Sequence, residues 1–157
     1  MATLLVGSKF FLAETYDKVD VYVGDELTLR VEGLGQLDDP DSEILRRFGK
    51  DIDVVEVGIC DIGDLSFLRH LPNVRSVWVF TTSVKDLSGL RYASQLERLA
   101  IDRPSCRMDV LGELVNLTSI HLDDWRPGAA GVFNLTKINN ASIRHYPYAD
   151  LRPMHRW

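Results

Sequence analysis

The chain has 157 residues, of which 45% are hydrophobic, and a formal net charge of -5. This length and apolar content suffice for one domain with a continuous core, while the acidic balance argues against a protein that coats nucleic acid by neutralising phosphates. No apolar run approaches the roughly 20 residues of a membrane span, and two cysteines are too few for a disulfide scaffold. The N-terminus lacks the basic and apolar regions of a signal peptide, so we expect a mature, cytoplasmic protein without membrane contact.

The N-terminal region, residues 1–51, has strand-like patterns that differ from the rest of the chain. Leu4–Leu12 is apolar and is predicted to form a first strand. Lys18–Val23 and Leu27–Val31 alternate apolar and polar residues on either side of a glycine-aspartate turn, which predicts a β-hairpin. Gly33–Asp41 is rich in glycine, aspartate and proline and is predicted to be a loop.

A short helix is predicted to end this region. Asp41 or Ser42 can cap its N-terminus, and Gly49 can end it. Its apolar face consists of Ile44, Leu45 and Phe48. We expect the hairpin and the helix together to cover the N-terminal end of the structure that follows.

From Ile52 onward the apolar residues recur in units that start at residues 52, 74, 96, 117 and 138. In the unit VRSVWVFTTSVKDLSGLRYASQ they occupy positions 1, 4, 6, 11, 14, 17 and 20. Positions 4 and 6 point to one side of a short strand, and positions 14, 17 and 20 share one face of a helical or 3₁₀ segment. Each unit leaves apolar edges open, so neighbouring units must stack to bury them.

This pattern resembles the leucine-rich repeat, LxxLxLxxNxIxDLxxLxxLxN, in the short form of internalin-like and phosphatase-regulator-like units. The aspartate-leucine positions hold Asp64-Leu65, Asp86-Leu87 and Asp150-Leu151, and the unit ends hold Asn73 and Asn116. The resemblance covers about two-thirds of the chain. It implies an α/β solenoid of about five units over residues 52–157, with a parallel β-sheet on its concave face. Residues 1–51 would cap this solenoid within one compact domain.

The ninth position of each unit departs from the family pattern. The family places asparagine or cysteine there, whereas this chain has Cys60, Thr82, Pro104, Trp125 and Tyr146. The turns after the third and fourth strands of the repeat are therefore expected to be irregular. At the other end of the chain, Met154 and Trp157 are expected to anchor the last unit.

Two aromatic residues lie on the outward side of a predicted strand. Positions 3, 5, 7 and 8 point outward and pave the predicted concave face, with Val54 and Ser76 at position 3. Trp78 and Phe80 occupy positions 5 and 7 of the second unit. Exposed aromatics in the middle of a face are typical binding anchors. The alternative is that the N-terminal segment or a loop folds over them.

A polar cluster is predicted beside these aromatics, on the following three strands. It consists of Arg98, Asp102, Arg103, His121, Asp123, Asp124, Arg144 and His145. One interpretation is a solvated face with weak internal ion pairs, and the other is a charged flank that recognises a protein. The loop Trp125–Phe133 is a third candidate contact, with Trp125 pointing either inward or outward. The acidic balance of the chain would suit a basic partner.

An enzymatic alternative uses His121 with Asp102 and Asp123, whose nitrogen and oxygen atoms would suit a metal-dependent hydrolase. No serine or cysteine lies in a recognisable nucleophile motif. By their positions in the repeat unit, the side chains of Cys60 and Cys106 point inward, which predicts inert core thiols. The two cysteines also lie too far apart for a disulfide. No cofactor is predicted.

The pattern as a whole favours a non-enzymatic protein-binding module that uses the concave face of the repeat stack. Such a compact stack would suit an inhibitor or immunity protein that blocks a toxin or an enzyme, by analogy at the level of the fold. An adaptor or regulatory subunit is the rival interpretation. A homodimer through the exposed end strand is also compatible with the pattern. The residues expected to contact the partner are Trp78, Phe80, Arg98, Asp102, Arg103, His121, Asp123, Asp124, Trp125 and Arg144.

Overall fold

The computed structural model describes residues 11–16, 19–23, 28–34, 45–61, 63–80 and 84–147. Within these ranges the backbone forms one eight-stranded sheet whose spatial order follows the chain, from β1 to β8. The strands are β1 (Phe11–Tyr16), β2 (Val19–Val23), β3 (Thr28–Leu34), β4 (Val54–Asp61), β5 (Ser76–Val79), β6 (Arg98–Ile101), β7 (Ser119–Leu122) and β8 (Asn140–Ile143).

The first three strands are antiparallel and lead directly into the parallel part of the sheet. β2 and β3 pair as the alternating pattern predicts, with Val21 opposite Leu29. The first strand differs from the prediction of Leu4–Leu12, because β1 runs from Phe11 to Tyr16 and residues 1–10 lie outside the described ranges. The position of β1 is set by its pairing with β2, in which Tyr16 lies opposite Val19. A run of apolar residues does not indicate such pairing.

β3 then pairs with β4 in parallel, so the N-terminal hairpin extends the sheet of the repeats. The predicted helix is present at residues 45–48, where the Gly49 amide donates a 2.8 Å bond to the Leu45 carbonyl. Leu45 is buried and Phe48 packs against the core. The proposed capping residues Asp41 and Ser42 lie outside the described part of the chain.

The strands from β4 to β8 are all parallel and stay in phase. Val55 pairs with Val77, Val77 with Leu99, Leu99 with Ile120 and Ile120 with Ala141. All but Ala141 are buried. This in-phase pairing follows from the period, because strands that begin 21 or 22 residues apart bring the same unit position to the same level of the sheet.

The return segments are 3₁₀ helices, namely η1 (Ser66–His70), η2 (Ser88–Tyr92), η3 (Asp109–Glu113) and η4 (Ala129–Asn134). Each holds five or six residues, a length at which the tighter 3₁₀ geometry is common. Amide-to-carbonyl bonds of the i to i-3 type connect Leu68 to Leu65 and Leu90 to Leu87. The leucines of these segments share one core cluster with the inward strand residues.

Adjacent 3₁₀ segments pack so closely that glycine is needed between them. A Cβ atom on Gly89 would collide with the backbone carbonyl of Leu65 in the preceding unit. Gly128 has φ of +91°, a left-handed conformation that disfavours side chains, and a Cβ there would meet Asp109. The Pro-Gly-Ala loop is therefore a packing feature of the stack.

Polar residues of the repeat pattern support the structure within and between units. Asp64 and Asp86 accept 2.8 and 2.7 Å hydrogen bonds from the amides of Ser66 and Ser88, at the starts of η1 and η2. At the unit ends, the Asn73 side-chain amide donates to the Lys50 carbonyl at 2.7 Å, and Asn116 donates to the Ser94 carbonyl at 2.8 Å. Asn73 therefore connects its unit to the segment before residue 52, and Asn116 connects its unit to the preceding one.

Two further points concern the C-terminal end of the chain and membrane-spanning helices. Met154 and Trp157, the expected anchors of the last unit, lie outside the described residues. Among the helices that the structure describes, none is long and apolar enough to cross a membrane.

Candidate functional site

The outward side of the sheet, opposite the 3₁₀ helices, is here called the open face. It is the predicted concave face. One row across it contains Glu56, Trp78, Ala100, His121 and Ser142, which follow each other on neighbouring strands. A second row, just past the strand ends, contains Phe80, Asp102, Asp123 and Arg144, whose amides each bond to the preceding strand.

Trp78 and Phe80 form an aromatic pair on this face. Their ring centroids are 5.9 Å apart and their planes meet at 89°, an edge-to-face contact. Trp78 is 40% exposed and Phe80 is 45% exposed, so both retain accessible ring surface. Trp78 lies in β5 and Phe80 directly follows this strand, away from both ends of the described sheet.

The pair is held in place by a contact that the sequence pattern did not predict. The Trp78 indole N–H donates a 3.0 Å hydrogen bond to the hydroxyl of Ser76 on the same strand. Ser76 and Val54 were expected on the exposed face, but both are buried, which corrects the prediction. By strand alternation both positions share the side of Trp78, whose indole contacts the Ser76 hydroxyl. Glu56, beside Trp78 in register, accepts bonds of 2.9 and 2.8 Å from Arg30.

The predicted polar cluster is a set of ion pairs in which each carboxylate has a cation of this chain. Arg103 pairs with Asp102 at 3.4 Å, Arg144 with Asp123 at 3.0 Å and Arg126 with Asp124 at 2.9 Å. His145 Nδ1 lies 3.3 Å from an Asp124 oxygen and 2.9 Å from the Asp123 carbonyl. Arg103 and His145 both have positive φ, 47° and 51°, so the chain turns sharply where it leaves β6 and β8.

Asp123 is the best-stabilised carboxylate of this cluster. The pKa of Asp123 is lowered by a side-chain hydrogen bond that Asp102 can donate when it is protonated, and then by the bond and charge of Arg144 and by the charge of His145 when that ring is protonated. The Asp123 carboxylate is therefore ionised at neutral pH and held beside Arg144. Such an arrangement stabilises a charged surface, whereas a general base needs a pKa closer to the working pH.

Arg126 is a member of the cluster that sequence reasoning missed. It follows the irregular ninth position, where strand alternation no longer predicts direction. Its guanidinium also donates a 2.9 Å bond through Nε to the Pro104 carbonyl, one unit away. The sequence signal that could have revealed Arg126 was its position two residues after Asp124, which has the opposite charge.

The hydrolase alternative needed a metal between His121, Asp102 and Asp123. Within the described ranges, which include all three residues, no group of three His, Cys, Asp or Glu side chains is arranged to hold a metal ion. His121 is half-buried between Ala100 and Ser142 in register. Arg98, the remaining predicted contact, is exposed at the start of β6.

Trp125 lies in an aromatic cluster at the edge of the stack. Its ring stacks on Phe133 with centroids 5.5 Å apart and meets Tyr146 edge-on at 4.9 Å. It is half-buried and packs against the core, so the ring is directed into the fold. Trp125 and Tyr146 both occupy the ninth position of the unit. In these turns aromatic packing therefore stands where the leucine-rich repeat pattern has asparagine or cysteine.

Cys106, which was expected to point inward as a core thiol, packs against the core but is only half-buried. It lines a shallow cleft of about 540 Å³ between η2 and η3, together with charged residues that include Lys85, Asp86 and Arg107. Burial, followed by the charge of Asp86, raises the pKa of the Cys106 thiol. The thiol is therefore protonated at neutral pH and a poor nucleophile, in agreement with the expected inert character. Nothing is described of the Cys60 side chain.

Comparison with known proteins supports the fold. No family model matches the sequence, and no curated protein matches it. Among solved structures, the chain is similar to an internalin from Listeria monocytogenes, with a TM-score of 0.56 and 20% sequence identity over 77% of this chain. The chain spans 36% of the length of that internalin. The parallel sheet, the 3₁₀ return segments and this likeness together fit a solenoid fold that is like a leucine-rich repeat.

Proposed function

We propose that this protein is a non-enzymatic binding module that holds a protein partner on the open face of its sheet. The aromatic pair is the observation that carries the proposal. Trp78 and Phe80 keep accessible ring surface in the middle of a rigid sheet, although burial in the core would stabilise them more. Large aromatics in such positions commonly supply most of the binding free energy of an interface.

The residues around the pair support the same surface. Glu56 and its partner Arg30 border the pair on one side, and Asp102 with Arg103 borders it on the other. An apolar centre with a polar rim is typical of protein interfaces. The proposed contact residues are Trp78, Phe80, Arg98, Asp102, Arg103, His121, Asp123, Asp124 and Arg144. Trp125, which was also predicted as a contact residue, supports this surface indirectly, because its ring packs inside the stack.

The finer parts of the proposal concern organisation and biological role. We propose five repeat units that start at residues 52, 74, 96, 117 and 138, with residues 1–51 as an N-terminal cap and a cytoplasmic location. We propose that the partner is a toxin or enzyme whose activity is blocked on binding. In an adaptor, the partner would stay active in the complex, so an activity assay of the partner separates the two roles. We also propose a homodimer through β8, the last strand of the described sheet, which sedimentation would detect.

The binding face is tested by substitution of the two aromatics. We expect Trp78→Ala and Phe80→Ala each to weaken partner binding by about tenfold or more, because each removes a large buried contact from the complex. Binding is measured by titration calorimetry with a partner isolated by affinity capture.

Tyr92→Ala is the matched control, since Tyr92 is an equally exposed aromatic at the end of η2, away from the open face. Melting temperatures of all three variants check that each still folds. Unchanged affinity in both Trp78→Ala and Phe80→Ala, with an intact fold, would refute the assignment.

A further inference from the structure

The ion pairs of the open face have a consistent layering. Arg144 is 66% exposed, whereas its partner Asp123 is 16% exposed, and Arg103 is 68% exposed above Asp102 at 30%. The Arg126–Asp124 and Arg30–Glu56 pairs follow the same order, with the cation further out. His145 is likewise far more exposed than the Asp124 carboxylate that it approaches.

Two ion pairs on the helical side of the molecule show a much smaller difference. Arg91 and Glu113 in η2 and η3 are 51% and 55% exposed, so their charges are equally accessible. Arg107 and Asp109 are 72% and 60% exposed, so both charges lie at the surface. Among these pairs of the described residues, a cation far more exposed than its acid is found on the open face, although the chain as a whole carries a net charge of -5.

A partner that approaches this face meets guanidinium groups before it meets carboxylates. Each guanidinium has five N–H donors in a planar fork, and its bond to one carboxylate uses one or two of them. The outer edges of Arg103, Arg126 and Arg144 can then bind further carboxylates, in a geometry that suits arginine better than lysine. The acids below hold the arginine side chains in place, which lowers the entropy cost of binding.

The arginines and the aromatic pair are close enough to contact one partner. Phe80 and Asp102 occupy the same row on adjacent strands, as do Asp102 and Asp123, and adjacent strands lie about 4.8 Å apart. A single segment laid across the strands would reach from Trp78 to Arg144. The apolar and charged parts therefore form one continuous surface.

We propose that the partner presents an acidic segment to this surface. Its carboxylates bind the outer guanidinium edges of Arg103, Arg126 and Arg144, and a neighbouring apolar side chain packs on Trp78 and Phe80. This inference rests on the proposed binding function and reverses the expectation of a basic partner, which followed from net charge alone. A nucleic acid is disfavoured because its dense row of phosphates needs many unneutralised cations, and the arginines of this face are already paired with aspartates. A protein segment needs to present only one or two carboxylates to the outer guanidinium edges.

The test is a selection of phage-displayed random peptides on the purified protein. We expect the selected peptides to be enriched in aspartate and glutamate over lysine and arginine, next to an aromatic or aliphatic residue. A synthetic copy of the most enriched peptide should bind at least about tenfold more weakly to the Arg103→Gln/Arg144→Gln double variant. Added salt should weaken the binding of the unaltered protein more than that of the double variant.

Arg91→Gln/Arg107→Gln is the matched control, because it removes the same charge from the helical side. Arg103→Gln alone serves if the double variant melts at a much lower temperature. Enrichment of basic peptides, or an unchanged affinity in the Arg103→Gln/Arg144→Gln variant, would overturn the acidic partner. If peptide binding is still lost in Trp78→Ala and Phe80→Ala, the binding function itself stands.

Two further outcomes are decisive. Selected peptides that ignore both the aromatics and the arginines, or no enrichment at all, would contradict the binding function together with the acidic partner. Duplex DNA that binds more tightly than the peptide, and loses affinity in the double variant, would assign the arginines to nucleic acid.

Discussion

Asp86 illustrates how a single side chain supports the repeat. Its carboxylate accepts hydrogen bonds of 2.7 Å from the Ser88 amide and 2.8 Å from the Ser88 hydroxyl. These bonds lower the pKa of Asp86 below its ordinary value of 3.8, with a smaller contribution from Arg91. The aspartate-leucine motif in the sequence predicted the position of Asp86, and the bond to Ser88 explains why an acid is favoured there.

We expect Asp86→Ala to lower the free energy of unfolding by about 0.5–1 kcal/mol at neutral pH, the usual net contribution of a hydrogen bond to stability. Because the pKa of Asp86 is lower in the folded than in the unfolded state, its contribution is present above pH 3.8 and is lost as the pH falls through the folded value. Urea denaturation of the unaltered protein and the variant at pH 7 and near pH 2 measures this difference.

Asp51→Ala is the control, since Asp51 is an exposed carboxyl in the turn after residues 45–48. The stabilising role of the Asp86 carboxylate is refuted if the difference between the unaltered protein and Asp86→Ala is the same at both pH values.

Trp78 marks the limit of prediction for a single residue. Alternation along β5 was enough to predict that this side chain points outward. Its bond to Ser76, which directs the indole along the strand, depends on a choice of side-chain rotamer that alternation does not determine. For the same reason the burial of Ser76 was missed.

The strands and return segments are the best-predicted elements. Period and apolar spacing predicted the places of β4 to β8 and of the 3₁₀ segments, because each element buries a fixed set of unit positions against its neighbours. Irregular turns at the ninth position of the unit were also expected, but the aromatic packing that is found there was not. Trp125, Phe133 and Tyr146 come from three different segments, and only the stacked structure brings their rings together.

The aromatic cluster gives a prediction at the scale of these elements. We expect Trp125→Ala to lower the free energy of unfolding by about 2–3 kcal/mol, because it removes a large ring packed against the core. Thermal denaturation measures the loss. Once folded, the variant should bind the partner within about threefold of the unaltered protein, since the ring is directed into the stack.

Phe80→Ala is the opposite case, because its ring lies outside the core: stability should change little and binding should fall. Wild-type stability together with lost binding in Trp125→Ala would place Trp125 in the interface instead.

At the scale of the whole molecule, the two ends of the described sheet are unequal. β1 and β2 extend the sheet at one end, whereas β8 is the last described strand at the other. Ala141 has the unit position of Leu99 and Ile120, yet it is exposed, and Ile143 is only half-buried. The stack is therefore less well covered at β8 than at β6.

Hydrogen exchange should report this difference. The amides of Asn140 and Arg144 bond to the carbonyls of Thr118 and Leu122, and we expect them to exchange at least about tenfold faster than the amides of Arg98 and Asp102 in the interior of the sheet. Among the described strands β8 has a neighbour on one side only, and a strand in that position opens more easily. Equal protection would show that a further strand, from this chain or a second copy, covers β8.

The sequence alone determined the repeat architecture and most of its core, because each unit repeats the same short-range spacing and stacking makes the apolar positions coincide. It also placed Trp78 and Phe80 on the outward side of their strand. Only the tertiary structure decided which charges of the open face are outermost, since that order depends on contacts such as Arg144 with Asp123, between residues about 21 positions apart. Net charge, a sum over the whole chain, predicted a basic partner, whereas the local layering of arginine above carboxylate favours an acidic one.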